Sequence, residues 1–443
     1  MKAALGLAVA TGLLIAVASA GLVAAQAKGS ERGAWSKAPD LPEGHIAHTA
    51  TLLPDGRVLI VGGADVRGVG TSSCELFDPK NNRWIQAAML DGARASQAAA
   101  LLADGDVLIT GGGTGLGIYP IETLASAEIY HPASNRWTAA AAMHVPRRMH
   151  SAISLRDGRV LVLGGTLAPD SPLAAPQDAQ AEVYDPVRDS WSLVGNGLPP
   201  LSQSAAVRMA DGTVLVTGGA TDTGFATTNA ELFDPPTNRW RATTWPMATA
   251  RYGHTATLLP DGKVLLVGGY STQPQTVGGV VYPNPQLLTT SEIFDLRGNT
   301  GVRVGYSTIP RLEHSATLLR KGLVLVVGSA YASDADSQLF DPGNTADWIS
   351  TGKRMDRYLH TATLLAGGRV LVAGGYGVGS ATTAWIYSPV SATTASTTFP
   401  FLKIGAGLLV VVVIMIGLAV AARRLDRRRP GAVREADSEW IDP

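Results

Sequence analysis

The sequence predicts an all-β chain folded as a ring of seven four-stranded antiparallel blades, a β-propeller, followed by one C-terminal transmembrane helix. Three observations carry this. A window of about fifteen residues recurs seven times in one register, first as His48-Thr49-Ala50-Thr51-Leu52-Leu53-Pro54-Asp55-Gly56-Arg57-Val58-Leu59-Ile60-Val61-Gly62-Gly63. Its turn glycines, Gly56, Gly105, Gly158, Gly212, Gly262, Gly322 and Gly368, stand 46 to 60 residues apart, the period of a propeller blade and not of a helical repeat. Beyond the last copy, Ile404 to Ala422 is a run of nineteen residues without a charge.

Within each copy, two short apolar runs flank a turn signal, as in Thr255-Ala256-Thr257-Leu258-Leu259 and Lys263-Val264-Leu265-Leu266-Val267. Asp-Gly between such runs makes a tight hairpin, because Gly takes positive φ without steric cost and Asp tolerates it. The second run is apolar on both faces, which predicts a strand buried from both sides between stacked blades. A Gly-Gly pair then permits close backbone approach. A third strand ends in Asp-Pro, as in Glu75-Leu76-Phe77-Asp78-Pro79 and Glu231-Leu232-Phe233-Asp234-Pro235. A fourth strand carries Trp84, Trp137, Trp191, Trp240 or Trp348, a ring large enough to pack on the next blade.

These residues resemble the kelch repeat, whose signature is Arg-x-x-His before the first strand, Gly-Gly after the second and a Trp about twenty residues on. The resemblance covers residues 34 to 390. Two units depart from it: the fifth lacks its Trp, with Val302 and Val304 nearby, and the sixth has Gly328-Ser329 for Gly-Gly. Trp35 precedes the first unit in a fragment that reads as a fourth strand, while the last unit ends at Ala384 to Pro389 without one. Joining the two closes the seventh blade and removes the open sheet edges.

The ends of the chain point to export. Residues 1–27 read as a signal peptide, with Lys2, an apolar run and the small-residue triplets Ala18-Ser19-Ala20 and Ala25-Gln26-Ala27; an uncleaved anchor is the alternative and places the propeller on the same side. Residues 391–403 form a Ser/Thr-rich tether. Residues 404–422 would rise about 28 Å as a helix, close to the bilayer core. Arg423, Arg424, Arg427, Arg428 and Arg429, at the start of 423–443, place this basic tail in the cytoplasm by the positive-inside rule. The expected localisation is therefore the cell membrane, single-pass, with the propeller extracytoplasmic. Formal net charge is zero and the propeller holds no basic run, which argues against nucleic acid as a partner. The single cysteine, Cys74, excludes an internal disulfide and reads as a small core residue.

Alternating strand direction sorts the connections onto two faces. Asp-Gly and Asp-Pro turns are short and share one face; the loops after Gly-Gly and those leading into each His share the other, where the fifth unit inserts Tyr270 to Thr290 and the third Thr166 to Gln180. Variable loops on a rigid frame carry binding. The same face holds Arg147/His150, Arg251/His254, Arg311/His314 and Arg357/His360, which could bind a carboxylate or a sugar through forked donors or serve only to hold the ring together. Because a repeated residue serves each blade alike, the unrepeated Tyr252, Tyr270, Tyr282, Tyr358 and Tyr376 matter most for a ligand.

The expected function is a binding module for an extracytoplasmic protein, glycan or cell-wall component, with Arg251, His254, Tyr270, Arg311, His314, Arg357, Tyr358, His360 and Tyr376 as ligand-binding residues and no cofactor. The resemblance extends to galactose-oxidase-like proteins, and implies as an alternative a copper oxidase with Tyr358 and His360 as ligands. A kelch-type sugar epimerase or mutarotase is the other alternative, with Glu313, His314 and Arg311 as its acid–base group.

Overall fold

The computed structural model describes residues 32–390 apart from 117–121, 167–179, 196–200, 278–279, 298–299, 308, 331–334, 344–347, 378 and 380. Among the described residues seven four-stranded antiparallel sheets form, each built from strands consecutive in sequence except where Ala34–Lys37 joins the last blade and where a hairpin is inserted in the fifth. In the first blade Thr49–Leu52, Val58–Val61, Cys74–Asp78 and Arg83–Gln86 follow from inside to outside. The innermost strands neighbour one another around the whole ring, the seventh returning to the first. The signal, tether, membrane and tail segments expected at 1–27 and 391–443 lie outside the described residues, among which no helix is long and apolar enough to cross a membrane.

The seventh blade closes as expected. Ala34–Lys37 pairs antiparallel with Ala384–Ser388, placing Trp35 opposite Tyr387 with ring centroids 5.0 Å apart. Phe77/Trp84, Tyr130/Trp137, Tyr184/Trp191, Phe233/Trp240 and Phe340/Trp348 repeat that pairing at 4.9 to 5.2 Å. In the fifth blade the register sets Gly301 against Phe294, so the fourth strand forms without the ring pair.

The second strands are buried along their length. Successive blades share apolar clusters, such as Leu59, Val61 and Leu76 of the first against Val107, Ile109 and Tyr130 of the second, with Cys74 fully buried among them. Burial pushes the Cys74 thiol up to about 12, which keeps it protonated and inert. Burying apolar area on both faces at about 25 cal/mol per Å² is what holds a ring without disulfides together.

The Gly-Gly pair has a physical cause in the joint between blades. A Cβ on Gly111 would sit 2.3 Å from the Arg147 carbonyl of the following blade, and one on Gly218 would sit 2.2 Å from that of Arg251. The next amide donates to the same carbonyl, as Gly112 N–H does to Arg147 at 2.9 Å. In the sixth blade Gly328 keeps the tight position, 2.2 Å from the Arg357 carbonyl, while Ser329 retains the amide bond and donates its hydroxyl to Pro310 O at 2.6 Å. Its departure from the repeat is thereby accommodated.

Candidate functional site

Each blade delivers two consecutive residues to the mouth of the central channel on the variable-loop face: Ala47-His48, Ser96-Gln97, Met149-His150, Gln203-Ser204, Gly253-His254, Glu313-His314 and Leu359-His360. They enclose a cavity of about 330 Å³. The first of each pair is left-handed in every blade, with φ between 49° and 64°. Six of the seven are not glycine, a conformation L-residues hold only when their surroundings enforce it. Here backbone bonds between blades do so: Ala47 N–H donates to Leu359 O, Ser96 to Ala47, Met149 to Ser96 and Leu359 to Glu313, at 2.8 to 3.1 Å.

In six of the blades the second of the pair binds backwards to the preceding blade. His48 Nε2 meets Thr361 Oγ1, His150 Thr110, His254 Thr217, His314 Thr255 and His360 Ser315, all at 2.7 to 2.9 Å. Gln97 takes the histidine's place by donating Nε2–H to Val61 O at 2.7 Å. Burial, with neighbouring positive groups adding to it, lowers His48, His150 and His314 to about 3 and His254 and His360 well below the ordinary value, so these rings are neutral.

The arginines turn away from the channel into their own blades. Arg251 donates to Gly268 O at 2.8 Å, Arg311 to Gly328 O at 2.9 Å and to Gln338 Oε1 at 2.7 Å, and Arg357 to Gly374 O at 3.0 Å and to Thr383 Oγ1 at 2.7 Å. Burial lowers Arg311 and Arg357 to about 10. Arg94 and Arg147 pair with buried third-strand carboxylates, Glu128 at 2.6 Å and Glu182 at 3.0 Å. In the first blade His45 fills the arginine's place, its Nδ1 2.6 Å from Gly62 O and its Nε2 2.7 Å from Glu75 Oε2. Burial opposes a charge on His45, and Glu75 outweighs it and raises the ring above its ordinary value. Sequence reasoning missed Glu75, Glu128, Glu182 and His45. Their signal was a glutamate at the second position of successive third strands.

Two tyrosine pairs occupy equivalent places in the fifth and seventh blades. Tyr252 and Tyr270 bridge antiparallel with centroids 5.4 Å apart, and Tyr358 and Tyr376 do the same at 5.3 Å. Tyr270 opens a hairpin made of Tyr270–Val277 and Val280–Leu287, so the insertion in the fifth unit is an ordered two-stranded arm. Tyr282 is exposed on that arm, away from the mouth. Tyr358 and Tyr376 instead wall a groove with Ile46, Val66 and Leu116, beside the channel mouth through the shared Leu359. Val66 is 68% exposed and Tyr376 47%. Ile46, Val66 and Leu116 went unmarked in the sequence because loops of the first two blades reach the seventh only when the ring closes.

The residues implied for copper do not fit that ion. His360 Nε2 is committed to Ser315, the Tyr358 ring packs on Tyr376, and among the described residues no three His, Cys, Asp or Glu side chains converge as a metal site. The acid–base group is also divided. Glu313 lines the mouth and burial raises it to about 6, while Arg311 points into the blade and His314 is held neutral against Thr255.

This geometry defines a class: a repeat propeller whose blades are riveted by buried arginine and histidine and whose longer loops share one face. A family model described as the Kelch motif matches residues 94–144. Kelch-like protein 35 of Mus musculus is 31% identical over 106 residues, 24% of this chain and 17% of its own length. Kelch-like protein 15 of Danio rerio is 30% identical over 118 residues, 26% of this chain and 18% of its own. The match thus spans less than a fifth of those relatives. Among solved structures, a fungal alcohol oxidase of the AA5 family in complex with copper aligns with a TM-score of 0.61 at 17% identity, over 81% of this chain and 76% of that one. YjhT aligns with a TM-score of 0.52 at 16% identity, over 71% of this chain and 99% of that one. At such identities the likeness is one of fold. The chain is a seven-bladed β-propeller whose second blade matches the Kelch motif.

Proposed function

We propose that the propeller is a protein-binding module carried on the outer side of a membrane, and that its partner docks in the groove walled by Tyr358, Tyr376, Val66 and Ile46. The supporting observation is the exposure of Val66 and Tyr376 side by side in a concave apolar site next to the channel mouth. Apolar surface rimmed by polar loops favours protein contact, and tyrosine supplies large contact area at low entropic cost. Membrane attachment rests on the uncharged run 404–422 and the arginines after it. Kelch-like proteins among the relatives favour a protein partner, whereas the oxidase in the structural comparison is similar in fold alone.

The test is selection of a random peptide library on the protein, followed by binding to Val66→Asp and Tyr376→Ala. Enriched peptides should bind each variant at least tenfold more weakly. Enrichment indifferent to both variants, or glycan-array binding without peptide enrichment, contradicts the reading. Cells expressing the chain with an N-terminal propeller tag should lose that tag to external protease while retaining a C-terminal one.

A further inference from the structure

The channel mouth is built almost without charge, and its exception is Glu313. Five of its residues are histidines held neutral, and the arginines preceding them spend their donors inside the blades. Glu313 is the one carboxylate lining the cavity, and among the described residues its carboxyl group has neither a hydrogen-bond nor an ion-pair partner. It is held there by a left-handed backbone, φ 49°, at the same ring position where the fifth blade has Gly253. Glycine would carry that conformation with less strain, so nothing in the ring architecture calls for a carboxylate at this point.

The rest of the wall includes the apolar Met149 and Leu359. An anion would meet only the Glu313 charge, and a metal ion would find a single carboxylate among histidines whose Nε2 atoms are already bonded. A cationic head on an apolar stem matches both features.

We propose that the channel mouth is a binding site for a primary alkylammonium group, with Glu313 as its counter-ion and Met149 and Leu359 against its stem. The group can come from a lysine side chain of a protein partner or from a free polyamine. The proposal rests on the loop face being the recognition face, and not on the tyrosine-walled groove.

The groups facing Glu313 decide its pH dependence. Around it these are His48, His150 and His314, lowered to about 3, His254 and His360, lowered well below their ordinary value, and Arg311 and Arg357, both turned into their blades. Between pH 5 and 7.5 Glu313 is therefore the mouth group that changes charge, losing its negative charge as the pH falls through about 6. Affinity for an ammonium falls in the same window.

The test is calorimetric titration of the full chain in an uncharged maltoside detergent, with Nα-acetyl-lysine amide and with putrescine as probes. At least one should bind saturably at pH 7.5, weaken at least tenfold in Glu313→Gln, and weaken as the wild type is taken from pH 7.5 to 5. Gln203 already occupies the equivalent left-handed position in the fourth blade, so Glu313→Gln retains the fold. Preference for the lysine derivative assigns the group to a protein partner, and preference for putrescine assigns it to a free polyamine. Absence of binding by both, equal binding to Glu313→Gln, or affinity independent of pH overturns the site. Tyr376→Ala leaves amine binding intact, which separates failure of this site from failure of the groove.

Discussion

At the residue scale, the repeated arginine shows how one side chain rivets two blades. Its carbonyl meets the Gly-Gly of the preceding blade and its guanidinium meets the carbonyl and third-strand partner of its own. Arg147→Ala takes the arginine from the buried Glu182 carboxylate but leaves it the His144 and Val145 amides and the His144 ring, so the cost falls at the lower end of the about 3–5 kcal/mol for breaking a buried pair from one side. Arg357→Ala leaves only carbonyls and a hydroxyl, so its cost is smaller, about 1–3 kcal/mol. Chemical denaturation of both variants checks the order, and Glu182→Gln added to Arg147→Ala should recover part of the loss. The left-handed ring offers the opposite change. Ser96, φ 55° with an unpartnered hydroxyl, is expected to gain about 0.5–1 kcal/mol as Ser96→Gly, since relief of strain exceeds the added chain entropy.

At the scale of elements, the closing strand is the most exposed to test. Ala34–Lys37 is held by its ladder to Ala384–Ser388, by Trp35 on Tyr387, and by the indole N–H donated to Thr351 Oγ1 of the sixth blade at 3.0 Å. Trp35→Ala removes the ring contact and the inter-blade bond together. The half-buried ring places the loss at about 2–3 kcal/mol, below the range for a fully buried Trp. Thermal unfolding should shift downward as one transition. A separate early transition confined to the seventh blade would show that the ring does not melt as a unit. The arm Tyr270–Leu287 predicts the reverse, because its outer residues are exposed and its removal leaves the blade's ladder between Val264–Val267 and Thr290–Asp295 intact.

Across the whole molecule, five neutral histidines bound blade to blade make the ring sensitive to acid. Above pH 6.5 they are uncharged in the folded and unfolded states alike. As pH falls, the unfolded chain takes up protons that the folded ring refuses, at His48, His150 and His314 until about pH 3 and at His254 and His360 until well below their ordinary value, so stability is lost across that window. Each histidine contributes a loss of up to about 1.4 kcal/mol per pH unit. The melting temperature should therefore drop steeply between pH 6 and 4. His150→Gln, which copies Gln97 of the second blade, should flatten that slope while leaving stability at pH 7.5 within about 1 kcal/mol. A slope unchanged in this variant would remove the histidines as its cause.

Several features were legible in the residues alone. Asp-Gly and Gly-Gly impose local backbone conformations, continuous apolar runs demand burial on both faces, and a stray Trp35 ahead of a unit lacking its fourth strand implies closure. These are local or periodic constraints, readable from residues close in sequence. The pairing of Arg147 with Glu182, the substitution of His45 for arginine, and the isolation of Glu313 in an uncharged mouth were not legible. So too was the meeting of Val66 with Tyr376, which depends on the first blade lying beside the seventh. The chain by itself determined the seven-fold frame, because a repeat specifies every blade by the same short-range chemistry. Only the closed ring decided the sites, because it brings together at one mouth seven residues that differ from blade to blade and buries the groups that repeat.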